Sequence, residues 1–284
     1  MSDAGEAASS PAAIVAAIEA EGRVARTPFE GGDTVWRIWG AGPPLVLLHG
    51  GHGSWTHWVR NVLPLARRST VLAPDMPGYG ESDLPPGEID ADRLAEILVS
   101  GLLRLIGERE PIALAGFSFG GVVAGHVAAV SRHPVRRVVL VGAGGLGLPR
   151  PPPPVLVKWQ REATEEGRRA AHRANLGAVM IADPGKVDDL AIHLQAENTR
   201  RARFRSRSVS LTNTLLQRLE ASRPRLGGIW GELDAMTGPY VGMRRDLLAR
   251  LDPGGPFAIV PSAGHWVPYE ASEIVNASLI HWLT

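Results

Sequence analysis

Residues 112–121 decide the fold, and they are Ile-Ala-Leu-Ala-Gly-Phe-Ser-Phe-Gly-Gly. The apolar run 112–115 predicts a short strand, and the helical pattern of 120–131 begins directly after Ser118. A Gly-x-Ser-x-Gly sequence between a strand and a helix is typical of a nucleophile whose hydroxyl is lifted above a sheet edge. Glycine at 116 and 120 leaves room for that sharp turn. We therefore predict Ser118 as a catalytic nucleophile, although an incidental serine in a glycine-rich turn would give the same five residues.

Short apolar runs alternate with helical patterns on both sides of this stretch. Apolar runs without polar alternation are typical of strands buried on both faces of a parallel sheet. We therefore predict an α/β fold, with a mostly parallel central sheet flanked by helices. Residues 23–29 and 34–39 predict an antiparallel hairpin at one sheet edge. The other predicted strands are 45–48, 70–73, 112–115, 135–141, 226–230 and 257–260, and the predicted helices between them are 89–106, 120–131, 243–251 and 271–283.

The alternation of predicted strands and helices is interrupted once, and this interruption suggests the division of the chain into segments. Residues 1–22 predict an N-terminal extension, with a short helix from Pro11 capped by Ser10. Residues 23–145 predict the first part of the core, and 223–284 the second part. Between them, 146–222 begins with a run of prolines and continues with predicted helices rich in Arg and Glu, at 159–175 and 188–206. We predict that this segment is a helical lid, inserted after the sixth strand.

The composition excludes several classes of protein. The 284 residues are 44% hydrophobic and 21% charged, which is ordinary for a globular protein. With 30 basic and 29 acidic residues the formal net charge is +1, so we expect neither nucleic acid nor a membrane as a partner. A chain without cysteine has no disulfide, no thiol nucleophile and no thiolate metal ligand. The expected partner is a small-molecule substrate, and the composition neither predicts nor excludes a homodimer.

Neither a metal site nor a cofactor site is predicted. The histidines and acids lack the paired spacing of metal ligands. A glycine-rich loop at 142–147 is similar to a dinucleotide-binding loop, but Pro149 and the prolines after it prevent the helix that would bind a pyrophosphate. Asp3 and Glu6 stand where a secretory signal would be basic, and no apolar run is long enough to span a bilayer. We expect a cytoplasmic protein without metal or cofactor.

Three further candidates lie at the ends of predicted strands. Asp234 follows the strand 226–230, and Glu232 is the rival carboxylate; position favours Asp234, which comes after the turn rather than within it. His265 follows the last strand, and Gly264 before it allows the loop to bend back over the sheet edge. At the end of an earlier strand, the backbone N–H of Gly51 could join that of Phe119 in binding an oxyanion.

Four residues are predicted to line a substrate pocket. His52 and His57 follow the Gly51 loop, Phe117 precedes Ser118, and Trp266 follows His265. Each has an alternative reading, because lone histidines are seldom catalytic and buried aromatic residues are more often part of the core.

These residues resemble the α/β-hydrolase superfamily over residues 23–284. Ser118, Asp234 and His265 occur in the order in which that fold uses nucleophile, acid and base. A narrower resemblance is to the meta-cleavage product hydrolases, which open a carbon–carbon bond in vinylogous diketo acids. It is carried by residues 58–62, by 141–147 and by 264–266. The superfamily resemblance implies a serine hydrolase with a Ser-His-Asp triad.

The chain also departs from the narrower family. Phe117 stands where that family has Asn, and His57 stands where it has another polar residue. The lid arginine that would bind a substrate carboxylate is not identified; Arg200, Arg201 and Arg203 are the candidates, beside the alternative of a solvated basic helix face. Three functional classes follow: an ester or lactone hydrolase, a carbon–carbon hydrolase of ring-cleavage products, and a non-catalytic small-molecule binding protein. The residues around Ser118 also resemble those of perhydrolases.

Overall fold

The computed structural model describes residues 10–283; residues 1–9 of the predicted N-terminal extension and Thr284 lie outside that range. Helix α1, Pro11–Ala20, occurs where the sequence predicts it. Its cap is also as predicted, because Ser10 Oγ accepts a hydrogen bond from Ala13 N at 3.2 Å. Pro11 occupies the first helical position, where its missing N–H has no helical partner to lose.

One mixed sheet of eight strands forms the centre of the described chain. Its strands are β1 (Arg23–Phe29), β2 (Gly32–Trp39), β3 (Pro44–Leu48), β4 (Thr70–Pro74), β5 (Ile112–Phe117), β6 (Val135–Val141), β7 (Leu226–Gly231) and β8 (Phe257–Val260). They are ordered β1-β2-β4-β3-β5-β6-β7-β8 across the sheet. The pairs β1–β2 and β2–β4 are antiparallel, and every other pair is parallel. The predicted hairpin and the mostly parallel sheet are thus both confirmed.

Eleven helices accompany the sheet within residues 10–283. After α1 they are α2 (Val62–Ala66), α3 (Ala91–Ile106), α4 (Phe119–Val130), α5 (Glu165–Asn175), α6 (Asp189–Arg201), α7 (Arg207–Ser210), α8 (Thr214–Ser222), α9 (Val241–Leu251), α10 (Val267–Glu270) and α11 (Ser272–Leu283). Along this described range, none of the helices has the length and apolar character that a membrane span needs.

The sheet separates two hydrophobic cores. Val46 and Leu48 of β3 belong to one core, and Leu45 and Leu47 belong to the other, because successive side chains of a strand point to opposite faces. Helices α3, α4, α8 and α9 contribute to the first core, and α2 and α11 contribute to the second. This double coverage explains why the parallel strands have continuous apolar sequences.

The insertion between β6 and β7 contacts the loops at the carboxyl ends of four strands. Asn198 accepts a hydrogen bond from Ser54, after β3, at 2.7 Å. The N–H of Arg203 donates to Gly78 O, after β4, at 2.8 Å, and Gly145 N, after β6, donates to Ser210 O at 2.9 Å. After β8, the N–H of Trp266 donates to Met180 O at 2.6 Å. The insertion therefore lies over the sheet edge at which the candidate site residues meet.

Within the insertion the helices are shorter than the sequence predicts. The predicted helix 159–175 is a 3-10 turn, Trp159–Arg161, followed by α5, because Thr164 Oγ1 accepts from Gly167 N and begins a new helix. The predicted helix 188–206 ends at Arg201, and α7 follows separately. Helix α8 packs against α4 on the flank of the sheet, through Leu215 and Leu219. Where a lid would begin and end stays a prediction.

Candidate active site

Ser118 lies on the turn between β5 and α4, in a backbone conformation rare for a residue with a side chain. Its φ is 53° and its ψ is −113°. A Cβ on Gly116 would overlap the carbonyl of Gly120, and a Cβ on Gly120 would overlap the carbonyl of Leu48. The N–H of Ser118 donates to Val141 O at 2.8 Å and so ties the turn to the neighbouring strand. The two glycines are therefore required for the close packing that holds the turn.

His265 connects Ser118 with Asp234. Its Nε2 lies 3.0 Å from Ser118 Oγ, and its Nδ1 lies 2.9 Å from Asp234 Oδ2. A carboxylate accepts hydrogen bonds only, so Nδ1 carries the proton and Nε2 is free to accept one from the serine hydroxyl. Asp234 is fully buried, and His265 is 5% exposed. The structure thus brings together three residues that lie far apart in the sequence.

The carboxylate of Asp234 is held by its own loop. Oδ1 accepts from the N–H of Met236 at 2.8 Å and from that of Thr237 at 3.2 Å, and Thr237 Oγ1 lies 3.3 Å from Oδ2. These hydrogen bonds fix the orientation of the carboxylate toward His265. Glu232, the rival acid, is exposed and accepts from Ser262 N at 3.0 Å. Only Asp234 of the two contacts the histidine.

The backbone of Gly51 and Phe119 lies beside the serine. Phe119 is the first residue of α4, so its N–H has no partner in the helix. The N–H of Gly51 donates no backbone hydrogen bond within residues 10–283. A Cβ built on Gly51 would lie 3.8 Å from Phe119 Cβ and would overlap Ser206 Oγ. The two residues are therefore neighbours, as the predicted oxyanion site at their N–H groups requires.

Two buried histidines support the loop that carries Gly51. His49 Nδ1 lies 2.8 Å from Gly50 O, and its Nε2 accepts from Met76 N at 2.9 Å. His57 Nδ1 accepts from Gly50 N at 3.1 Å. Burial lowers the pKa of His49 to about 4 and lowers the pKa of His57 well below its ordinary value. Both rings are therefore neutral at pH 7, and both are part of the loop's scaffold.

The other predicted pocket residues have varied positions. Phe117 is 1% exposed and packs on His265, with ring centroids 5.1 Å apart. Trp266 is fully buried, and its Nε1 donates to His57 O at 2.9 Å. His52 is exposed and has a φ of 55°. Phe117, Trp266 and His57 lie beneath the site and are scaffold residues.

A cavity of about 190 Å³ opens beside Ser118 and His265. None of the four predicted pocket residues belongs to its lining within the described chain. The lining comes instead from the loop after β6, from the insertion and from the segment after β7, and it consists of residues 142–148 and 210–212 with Arg150, Met236 and Arg244.

The three candidate lid arginines do not line this cavity. Arg200 pairs with Glu197 at 2.7 Å, and Arg201 pairs with Glu81 at 3.3 Å. Arg203 donates to the carbonyl of Ser82. The guanidinium groups of these arginines thus bind residues of the insertion and of the loop after β4.

Two other charged residues at the site were not predicted. Arg244 falls on the buried face of α9 with Val241, Leu247 and Leu248, so an arginine on an apolar helix stripe was the signal in the sequence. Glu270 is 4% exposed, and its Oε2 accepts from Gly264 N at 2.6 Å, next to His265. Its carboxylate also accepts from Ala182 N at 3.1 Å and Asp183 N at 2.8 Å in the insertion. No sequence motif indicates the role of Glu270, because its partners are backbone groups.

Among residues 10–283, no group of three or more His, Asp or Glu side chains is arranged to bind a metal ion. The chemistry available at the site is therefore described by the serine, the histidine, the acid and the nearby N–H groups.

The chain is similar to a large group of known proteins. A model described as the alpha/beta hydrolase family matches residues 45–277. The 2-hydroxy-6-oxo-6-phenylhexa-2,4-dienoate hydrolase of Burkholderia cepacia is 27% identical over 259 residues, which cover 86% of this chain and 88% of that protein. The 2-hydroxymuconate semialdehyde hydrolase of Pseudomonas sp. strain CF600 is 41% identical over 118 residues, 39% of this chain and 40% of that protein.

A third relative is the dihydrolipoyllysine-residue acetyltransferase component of an acetoin cleaving system from Pseudomonas putida, 29% identical over 252 residues. That match covers 85% of this chain and 64% of the relative, so the chain spans less than two thirds of this protein and of the semialdehyde hydrolase.

Two solved structures share the fold. An esterase from Rhodococcus superimposes with a TM-score of 0.70 at 21% identity, covering 92% of this chain and 98% of the esterase. A meta-cleavage product hydrolase, CumD, gives a TM-score of 0.70 at 21% identity, covering 91% of this chain and 97% of CumD.

Proposed function

This chain belongs to the alpha/beta hydrolase family, and from that premise we propose that it is a serine hydrolase of small-molecule carbonyl compounds. The observation that carries the proposal is the continuous hydrogen-bonded path Ser118–His265–Asp234, with distances of 3.0 and 2.9 Å. Substrates in this proposal are carboxylic esters, lactones or vinylogous diketo acids. A hydrolase relative that covers most of the chain supports the reaction class.

The first half-reaction forms an acyl-enzyme. His265 Nε2 removes the proton of Ser118 Oγ as the oxygen attacks the carbonyl carbon, and Asp234 stabilises the imidazolium that results. The carbonyl oxygen becomes an oxyanion, which the N–H groups of Gly51 and Phe119 bind. Each such donor contributes on the order of 3 kcal/mol to the transition state. The tetrahedral intermediate then collapses, and His265 gives its proton to the departing alcohol.

The second half-reaction releases the acid. A water molecule occupies the place of the alcohol, and His265 Nε2 removes one of its protons as its oxygen attacks the acyl carbon. Collapse of the second intermediate breaks the bond to Ser118 Oγ, which recovers its proton from His265. The same relay thus acts as base and acid twice in each turnover.

Carbon–carbon bond hydrolysis is the second candidate. The relatives named as dienoate and semialdehyde hydrolases support it. In that variant the substrate first becomes its keto form, and the leaving group is a carbon rather than an oxygen. Phe117 counts against a close match, because that family has a polar Asn where this chain has a buried aromatic ring.

Substitution of the nucleophile tests the proposal directly. We expect Ser118→Ala to lower the kcat/KM for an aryl ester at least about a hundredfold, because within residues 10–283 no other hydroxyl is hydrogen-bonded to His265 Nε2. The melting temperature should change little, since alanine is smaller than serine and Ser118 donates no other hydrogen bond through its side chain. A wild-type rate in this variant would refute the assignment.

Covalent labelling provides an independent readout. A fluorophosphonate should add once to the wild-type protein and not to Ser118→Ala, as measured by intact mass. An unlabelled wild type, beside a known serine hydrolase that does label, would contradict the proposal.

A substrate panel separates the three functional classes. Turnover of aryl esters favours the esterase, and turnover of a dienoate ring-cleavage product favours carbon–carbon cleavage. Saturable binding of either compound without turnover would favour the non-catalytic binding protein.

A further inference from the structure

Two arginines without acidic partners line the cavity that contains Ser118. Arg150 lies on its exposed side, in the segment after β6, and Arg244 lies on its buried side, on α9. No acidic residue belongs to the lining found within the described chain. The cavity wall is therefore positively charged, although the chain as a whole carries a net charge of only +1.

Arg244 is buried and incompletely paired. It is 5% exposed, and its one hydrogen bond within residues 10–283 runs from Nη1 to Tyr240 O at 3.0 Å. Its Nε is buried without any hydrogen-bond partner in that range. A buried cation without a partner costs free energy unless a charged or polar group compensates it. Nη2 also makes no hydrogen bond in that range, and unlike Nε it is not completely buried, so it is the donor that a partner in the cavity can reach.

Asp234 is the nearest acid to consider as that partner, and its carboxylate is already occupied. Oδ1 accepts two backbone N–H groups, and Oδ2 faces His265 and Thr237 Oγ1. No salt bridge joins Asp234 to Arg244 among the described residues. Other arginines of the chain, such as Arg245 next to it, do pair with a carboxylate. Arg244 thus differs from its neighbour in burial, in pairing and in facing the cavity.

We propose that Arg244 binds a carboxylate of the substrate, with Arg150 at the cavity entrance adding to the attraction. The proposal rests on the function proposed above, because it assigns both groups to one substrate in the cavity of Ser118. A carboxylate fits the Nη1–Nη2 edge, because these two terminal nitrogens of the planar guanidinium offer parallel donors and only one of their N–H groups is used, by Tyr240 O. The substrate class is a carbonyl compound, ester or ketone, that carries a carboxylate within one small molecule.

Matched pairs of esters test the proposal. Monophenyl adipate carries a carboxylate on the acyl side, and phenyl hexanoate is its neutral partner. For the leaving-group side the pair is 3-acetoxybenzoate and phenyl acetate. We expect the wild type to prefer the charged member of at least one pair. In Arg244→Gln the preference in kcat/KM should fall at least tenfold, through a higher KM for the charged ester.

Arg245→Gln is the matched control, since it removes an exposed arginine from the next position of the same helix and should leave the preference unchanged. Two results would overturn the proposal: a wild type that prefers the neutral member of both pairs, or an Arg244→Gln that loses charged and neutral esters equally. The second result would assign Arg244 to the support of Asp234.

Two further measurements keep the test decisive. If Arg244→Gln does not fold, Arg244→Lys retains the charge without the two-donor edge and should show a smaller preference. Adipate should also inhibit phenyl acetate hydrolysis by the wild type at least tenfold more strongly than adipamide does, and equal inhibition would contradict the site.

Failure of the hydrolase proposal is distinguishable from failure of this site. A wild type that turns over no ester would refute the former. The site is then judged by calorimetry, where adipate should bind the wild type at least tenfold more tightly than Arg244→Gln. Equal binding would refute the site itself.

Discussion

His49 makes the stability of the folded chain dependent on pH. Both of its nitrogens are used by the neutral ring, one toward Gly50 O and one toward Met76 N. Its pKa in the folded chain is about 4, whereas an unfolded chain binds the proton with a pKa near 6.5. Between these pH values the unfolded state binds more protons, so the free energy of unfolding falls as the pH decreases from about 6.5 to about 4.

The contribution of His49 can be isolated by substitution. We expect the full effect to be about 3 kcal/mol, present above pH 6.5 and lost near pH 4. His49→Gln does not titrate, so its unfolding free energy, measured in urea, should fall less than that of the wild type over this interval. Parallel curves for the two proteins would contradict the role given to His49.

At the scale of single residues, the catalytic candidates could be predicted from the sequence, but the residues that line the cavity could not. Ser118, Asp234 and His265 each follow a strand, and the carboxyl ends of parallel strands meet at one edge, so their positions follow from the strand pattern. Phe117 ends β5 and Trp266 follows β8, but the side chains of both are buried and pack against histidine rings, of His265 and of His57. A strand pattern locates a residue along an edge but does not determine which way its side chain points.

At the scale of elements, Glu270 joins the loop of His265 to the insertion. One carboxylate accepts N–H groups from Gly264 on one side and from Ala182 and Asp183 on the other. In Glu270→Gln an amide NH₂ must face at least one of these donors. We expect a loss of about 1.5–3 kcal/mol in unfolding free energy and a lower kcat with little change in KM, because His265 is less well positioned.

Glu273→Gln is the control for this substitution. Glu273 is exposed on the following helix, α11, so its replacement should change the free energy of unfolding by less than about 0.5 kcal/mol. Thermal melts and steady-state kinetics of both variants measure the difference. Identical behaviour of the two would mean that the buried carboxylate does not position the histidine loop.

The eight strands and the helices α3, α4, α9 and α11 were predicted within two residues, but α2, α10 and the helices of the insertion were not. Strands such as β3 and β5 are buried along their whole length, and such burial requires a continuous apolar sequence. In the insertion, Thr164 begins a helix inside the predicted one, and a break after Arg201 lets Arg203 donate to Gly78 O. These interruptions depend on contacts with distant loops, which local periodicity does not record.

At the scale of the whole molecule, Arg37 links the N-terminal helix, the sheet edge and the loop after β4. Its guanidinium bonds Glu19 of α1 at 2.7 Å, and Asp75 and Glu81 at 2.8 Å each. Arg37 is 3% exposed, and Asp75 also accepts from Trp55 N at 2.9 Å. A single buried cation thus holds segments that are distant in sequence.

Removal of Arg37 should therefore be costly. We expect Arg37→Met to lower the free energy of unfolding by about 3–5 kcal/mol, because it leaves the buried carboxylate of Asp75 without its counter-ion. Arg132→Met is the control, since its pair with Glu108 has side chains 71% and 61% exposed and should contribute less than about 1 kcal/mol. Urea unfolding of the two variants gives the comparison, and similar losses would contradict it.

The resemblance predicted from the sequence is confirmed at this scale. The family model covers residues 45–277, and meta-cleavage product hydrolases are among the relatives. Membership in the alpha/beta hydrolase family could be predicted because the residues at the strand ends and the turn of Ser118 are recognisable in the sequence. In our proposal substrate recognition depends on the cavity wall, where Arg244 is distinguished by its burial and by the lack of an acidic partner among the described residues.

The volume of the cavity beside Ser118 bears on the size of the substrates that fit it. At about 190 Å³ it is smaller than the 300–1,000 Å³ common for drug-sized molecules. Part of its wall, residues 210–212, is fastened to the opposite loop by one backbone bond, from Gly145 N to Ser210 O. We therefore expect compact substrates to fit this cavity, since a larger molecule would require the wall to change its position.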